Sequence, residues 1–493
     1  MRSVMLGMVP AALVSAQGPP TDFAPGDARS ETAHSISIAG EDVAYTATAG
    51  YLTIPSYDGK PKARMFHIAY VKDGVEDRST RPVTFAFNGG PGSSSVWLHM
   101  GALGPARVVM GPEGEVPPPP YRYVENEWSW LDLTDLVFVD PVSTGYSRPA
   151  EGQEAGQFHG LDGDLEAMGE FVRLWTTRHQ RWASPKFLAG ESYGTTRAAG
   201  LVDLMQDTHG MFFNGLVLIS PVLDFQTLRF NEGNDTPYWL YLPTYCATAW
   251  YHKQLEGELA GDLRRTLDAA ERFAAGDYLL ALAKGDALGD EDKRRIAREV
   301  ARFTGLREDY VLDARLRPRI FNFTKELLRH RGVTVGRLDS RYTGLDGDGT
   351  GSSPEYDPSY SAIQGVYTAT LNEYMRRDLA YENDHPYEIL TGRVHPWSYR
   401  SFEGSYVNVG PRLRRAMSKN ASLHVLFCSG YYDLATPHFA MVYTVEHLGL
   451  DVSRRGNVHR AFYESGHMMY VREADLVKLK EDAAAFYRAA LRR

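Results

Sequence analysis

Apolar and polar residues alternate along 36–71, in runs at 36–38, 43–45, 51–54 and 65–70. A period of two puts every second side chain on one face. Gly40, Asp58-Gly59 and Asp73-Gly74 mark turns between the runs, so the chain opens as antiparallel strands. From Arg81 the pattern changes. Residues 81–87, 136–139, 187–189 and 215–219 form short, mainly apolar runs suited to strands buried on both faces. Between them Leu165, Met168, Phe171, Val172 and Leu174 recur at helical spacing within 161–178, and 196–205 reads as another helix. Strands alternating with helices predict an α/β fold with a central, mostly parallel sheet and helices on both faces.

After Leu223 strand-like runs become scarce. Leu255, Leu259, Leu263 and Leu267 recur every four residues, a helical stripe that reads as core packing. Strand character returns at 423–428 and 458–463. In the closing segment Leu476, Leu479, Ala483, Phe486 and Ala490 share a helical face. The economical division is a sheet domain in two parts, 36–223 and 403–493, interrupted by a long, mainly helical cap insertion at 224–402.

The N-terminus joins Arg2 to an apolar run at 4–14 and the small residues Ser15 and Ala16, the three parts of a short secretory signal. Residues 1–16 are therefore expected to be a signal peptide, with export to a periplasmic or extracellular space. Residues 17–35 are expected to be a mobile leader. The apolar run is too short to span a bilayer, and no stable membrane insertion is expected. A net charge of −9 over 493 residues argues against nucleic acid as a partner. With only Cys246 and Cys428, far apart in sequence, a disulfide framework is excluded; a single bridge between them stays open, and two reduced, buried thiols is the favoured reading. Metal-ligand spacings such as C-x-x-C and H-E-x-x-H are absent. Asp346-Gly-Asp348-Gly-Thr350-Gly351 partly resembles a calcium loop, but Pro354 and an Asp at position twelve (Asp357) favour a plain loop. No metal or cofactor is expected.

Candidate chemistry centres on Gly190-Glu191-Ser192-Tyr193-Gly194, between a predicted strand and a predicted helix. A serine on so tight a turn needs small neighbours on both sides, and its hydroxyl is lifted clear of the sheet at a helix N-terminus. Ser192 needs a base and the base an orienting carboxylate. Asp433 follows the run at 423–428, and His467 follows the run at 458–463. The order Ser192, Asp433, His467 is that of α/β-hydrolases. Asn88-Gly89-Gly90-Pro91-Gly92, at the end of another strand, reads either as a plain turn or as a set of outward N–H groups suited to an oxyanion.

These residues resemble the serine carboxypeptidase family of α/β-hydrolases. The resemblance rests on Asn88 to Gly92 with Ser94 and Ser95, on Asn126-x-x-Ser129-Trp130, on Gly190 to Gly194, on Ser429-Gly430 with Asp433, and on Gly466-His467-Met468. It implies Ser192 as nucleophile, His467 as general acid–base and Asp433 as its orienter. The N–H groups of Gly90 and Tyr193 would form the oxyanion hole. Asn88, the Gly89 backbone and Glu191 would hold the C-terminal carboxylate of a peptide substrate. Two departures stand out: Ala86 where the family often has tryptophan, and Ala102 where it often has an acid. The expected activity is release of C-terminal amino acids through an acyl-enzyme, favoured by acid pH. The alternatives are an esterase or acyltransferase on the same residues, or a binding protein that keeps the fold without turnover. Oligomeric state stays open.

Overall fold

The computed structural model describes residues 29–492. Three long strands, β1 (Arg29–Ile38), β2 (Glu41–Pro55) and β3 (Pro61–Lys72), pair antiparallel. The 17–35 leader needs correction at its end: β1 begins at Arg29 because 29–38 pairs residue for residue with β2. The signal-peptide segment lies outside the described residues. Strand β4 (Val83–Phe87), β5 (Asp135–Val139), β6 (Lys186–Glu191), β7 (Gly215–Ile219), β8 (His424–Gly430) and β9 (Val458–Tyr463) complete the main path, in spatial order β1-β2-β3-β5-β4-β6-β7-β8-β9. The β3–β5 pair is antiparallel and every pair from β5 to β9 is parallel.

The parallel strands β4 to β7 are buried along their whole length, as their unbroken apolar runs require. Helices cover both faces. On one side α1 (Leu161–Arg178) and α2 (Tyr193–His209) pack with Leu165, Phe171, Leu201 and Met205 against Leu188 and Leu218. On the other side the closing helix α7 (Glu473–Leu491) buries Leu476, Leu479, Ala483 and Phe486 against Phe187 and Val217. Helix α2 is longer than 196–205. It starts directly after Ser192 and ends at Gly210, whose φ of 59° closes a left-handed cap.

Within 224–402, helices α3 (Thr236–Tyr251), α4 (Leu263–Phe273) and α5 (Asp290–Thr304) gather around a separate apolar cluster that includes Tyr245, Leu282 and Val300. Helix α6 (Pro358–Arg377) behaves differently. Its Ile363, Val366, Tyr367 and Leu371 join the cluster on the α7 face of the sheet. The leucine stripe is buried as expected, yet it does not run along one helix. Leu259 sits in a short turn at Gly257–Ala260, and Asp262 then caps α4 by accepting from Arg265 N at 2.9 Å. In the calcium-like segment Asp346 pairs with Lys325 at 2.7 Å, Asp348 accepts from Thr350, and Asp357 caps α6. Cys246 and Cys428 are buried free thiols. Among the described residues no helix is long and apolar enough to cross a membrane.

Candidate active site

The parallel strands deliver their loops to one edge. Asn88 follows β4, Ser192 follows β6, Asp433 lies beyond β8 and His467 beyond β9, all at carboxyl ends. Ser192 has φ 59° and ψ −129°, a conformation that costs a non-glycine residue about 1–3 kcal/mol. Neighbouring glycines make it possible. A Cβ on Gly190 would lie 2.3 Å from the Gly194 carbonyl oxygen, and one on Gly194 2.8 Å from that of Phe87. Gly89 packs against the same elbow, where a Cβ would come within 2.3 Å of Tyr193 N. The glycine-rich turn after β4 is thus held against the start of α2. Neither the Gly90 nor the Tyr193 N–H has a hydrogen-bond acceptor among the described residues.

His467 donates from Nδ1 to Asp433 Oδ2 at 2.7 Å. Asp433 is fully buried, and its Oδ1 accepts from the Ala435 and Thr436 N–H groups at 2.7 and 2.9 Å. The carboxylate is therefore fixed from both sides. The His467 backbone is clamped as well: its N–H donates to Leu338 O at 2.6 Å and its carbonyl accepts from Ser220 Oγ at 2.6 Å. Burial opposes an imidazolium here, but the charges of Asp433 and Glu191 outweigh it and raise the His467 pKa above its ordinary value. Ser192 and His467 line one cavity of about 380 Å³, together with Asn88, Gly89, Gly90 and Glu191.

Glu191 is buried, and burial pushes its carboxyl up to about 7 against the opposing effects of His467, Tyr470 and Asn88. Tyr470 donates to Glu191 Oε2 at 2.5 Å. Asn88 uses Oδ1 to accept from Leu98 N at 3.1 Å, while its buried Nδ2 has no partner at hydrogen-bonding geometry. The cavity thus holds, side by side, an amide whose only neighbouring acceptor among the described residues is Glu191 and a readily protonated acid. Near Ala102, a Cβ on Gly101 would lie 2.4 Å from the Tyr470 ring and 2.6 Å from the Tyr367 hydroxyl. Those two tyrosines fill the space around Gly101.

The family model described as serine carboxypeptidase matches residues 38–304, more than half of the chain. The chain belongs to this family. Serine carboxypeptidase-like 45 and serine carboxypeptidase-like 46 of Arabidopsis thaliana are each 27% identical to it over 196 residues, which is 38% of this chain and 38% of each relative. The chain thus spans well under half the length of these curated relatives. A crystal structure of Kex1, a prohormone-processing carboxypeptidase from Saccharomyces cerevisiae, superposes with a TM-score of 0.56 at 15% identity, covering 90% of this chain and 91% of that one. The fold is that of an α/β-hydrolase. In this serine carboxypeptidase family member, Asn126 Nδ2 donates to Ala102 O and Gly104 O at 2.8 Å, and Ser129 Oγ donates to Leu103 O. Asn126 and Ser129 therefore brace the turn beside the cavity and take no place in it.

Sequence reasoning missed Tyr470, Tyr367, Ser220, Asp339 and Arg341. Asp339 and Arg341 form a buried pair at 2.7 Å, and through it Gly466 N and Ser465 Oγ are held at 3.0 and 2.9 Å. Their signal is tertiary, since nothing in their spacing marks them. Tyr470 had a weak local signal, three residues after His467.

Proposed function

We propose that this protein is a serine-type carboxypeptidase that releases C-terminal amino acids through an acyl-enzyme. The observation that carries the reading is the cavity lined by Ser192, on its strained elbow, and by His467, held by Asp433 at 2.7 Å, with Asn88 and Glu191 in the same lining. Ser192 Oγ attacks the scissile carbonyl while His467 Nε2 takes its proton. The oxyanion that forms is stabilised by the free N–H groups of Gly90 and Tyr193, the latter opening α2. His467 returns the proton to the leaving amine, and water then repeats the sequence on the acyl-enzyme. The Asn88 amide and a protonated Glu191 hold the terminal carboxylate. Two charged carboxylates at that distance would repel, so recognition favours acid pH.

Replacing Ser192 by Ala is expected to lower kcat by roughly three to six orders of magnitude with the fold intact. Wild-type rates retained in that variant would overturn the assignment of the nucleophile. An esterase or acyltransferase is the second reading, favoured by the buried Ala86 and Ala102. Export is part of the proposal, on the basic, apolar and small-residue pattern of 1–16. Amino-terminal sequencing of protein recovered outside the cytoplasm should then begin near Gln17.

A further inference from the structure

Arg337 lines the cavity that holds Ser192 and His467. Its backbone is fixed: the N–H donates to Asp357 Oδ1 at 3.1 Å, and the carbonyl accepts from Leu434 N, directly after Asp433, at 3.0 Å. The next residue is fixed too, since Leu338 N donates to Ser359 Oγ and Leu338 O accepts from His467 N. Arg337 as a residue is half-buried, and its guanidinium makes no hydrogen bond or ion pair among the described residues. Half-buried Arg317 and Arg173, by contrast, are paired, the first with Asp235 at 2.6 Å and the second with Glu170 at 2.5 Å. An arginine on an anchored backbone with all five donors idle is ready for an anion.

The neighbours of that charge say which anion. Glu191 and Arg337 both reach His467, in opposite senses because their own charges are opposite. Glu191 lies at the Asn88 and Tyr470 end of the cavity. Arg337 lies at the Leu434 and Ala435 end, where its charge also reaches Tyr241, whose hydroxyl donates to Ala435 O. If the leaving residue's carboxylate sits at Asn88 and Glu191, the Arg337 end of the same cavity is left to the acyl side of the scissile bond.

We propose that Arg337 forms a subsite for an acidic side chain, Asp or Glu, on the residue that acylates Ser192. The inference rests on the functional reading above and deepens it. A bidentate arginine–carboxylate contact in a half-buried cavity is worth roughly tenfold in kcat/KM.

The test compares blocked dipeptides with Glu, Gln or Lys before the scissile bond and a constant Phe leaving, at a pH where the Glu side chain is charged. A second set holds Phe on the acyl side and varies the leaving residue. Blocked Glu and Gln methyl esters read acyl-side preference even if peptides are not cleaved, so failure of the carboxypeptidase reading is seen separately. Wild type is expected to favour acyl-side Glu over Gln about tenfold and Lys least, chiefly through KM. Arg337→Gln should bring the Glu-to-Gln ratio to about one, and Arg337→Glu should invert the order towards Lys. An unchanged ratio in Arg337→Gln overturns the proposal. So does a preference that appears on the leaving residue, or a variant that loses its preference for a free acid over the amide, which would make Arg337 a terminal-carboxylate clamp. Absence of turnover with every peptide and ester overturns the functional reading and the subsite together.

Discussion

A carboxyl group pushed up to about 7 keeps its proton below that pH, whereas a peptide's terminal carboxylate is charged above roughly pH 3.5. On the proposed reading Glu191 donates to the substrate carboxylate between those limits, and above about 7 the two repel. KM for free-acid peptides is therefore predicted to climb as pH rises through 7, while KM for an ester stays level. Glu191→Gln, a donor at every pH, should flatten that climb. The same substitution removes a charge that raises the His467 pKa, so the acid limb of kcat/KM for esters should move to lower pH. An unmoved limb would sever that coupling. Tyr470→Phe deletes the hydrogen bond that favours ionised Glu191, so the rise in KM should begin at higher pH, measured with the same peptides. Ser192 and Glu191 were legible because the elbow needs glycines around it at fixed spacing. Tyr470 was not, because an isolated tyrosine announces no partner. The hydroxyl of Tyr367, buried and without an acceptor among the described residues, was invisible for the same reason.

At the level of strands and loops, glycine contacts decide where His467 stands. A Cβ on Gly430 would lie 2.2 Å from Gly466 O, and one on Gly466 2.4 Å from Asp339 Cβ. Gly466→Ala must then push the histidine loop off Asp339. It is predicted to cost about 1–3 kcal/mol in a denaturant titration and to depress kcat more than KM. Full activity in that variant would show that the loop tolerates the shift. The parallel strands were readable from their apolar runs, since burial on both faces leaves no room for polar alternation. Helix ends were read less well. The spacing of Leu255 to Leu267 matched a helix because it repeats every four residues, yet Gly257 and the Asp262 cap break the backbone between them. Equal spacing of buried leucines can come from a turn followed by a helix, and periodicity does not separate the two.

Across the whole molecule the 224–402 segment is tied to the sheet domain at its working edge. Helix α6 fills one face of the sheet, and the loop that precedes it carries Arg337, Leu338, Asp339 and Arg341 to the Asp433 and His467 loops. None of this was visible in a stretch whose sequence shows mainly helical stripes, because its role depends on contacts with residues about a hundred positions away. Breaking the buried Asp339–Arg341 pair by Asp339→Ala leaves the buried guanidinium with only the more exposed Glu113, at 3.9 Å, as a counter-charge. It should cost about 3–5 kcal/mol of stability, read as a lowered midpoint of unfolding, and should impair kcat along with it. A variant of wild-type stability would mean that the pair is solvated in solution. The central claim, a carboxypeptidase built on Ser192, His467 and Asp433 with Asn88 and Glu191 at the terminal carboxylate, is tested most directly by one panel. A blocked dipeptide with a free C-terminal carboxylate, its amide and its ester are compared from acid to neutral pH, with Ser192→Ala alongside. The expected result is a preference for the free acid at low pH, fading as pH passes 7 and lost in Ser192→Ala. Ester turnover with no preference for the free acid at any pH would contradict it.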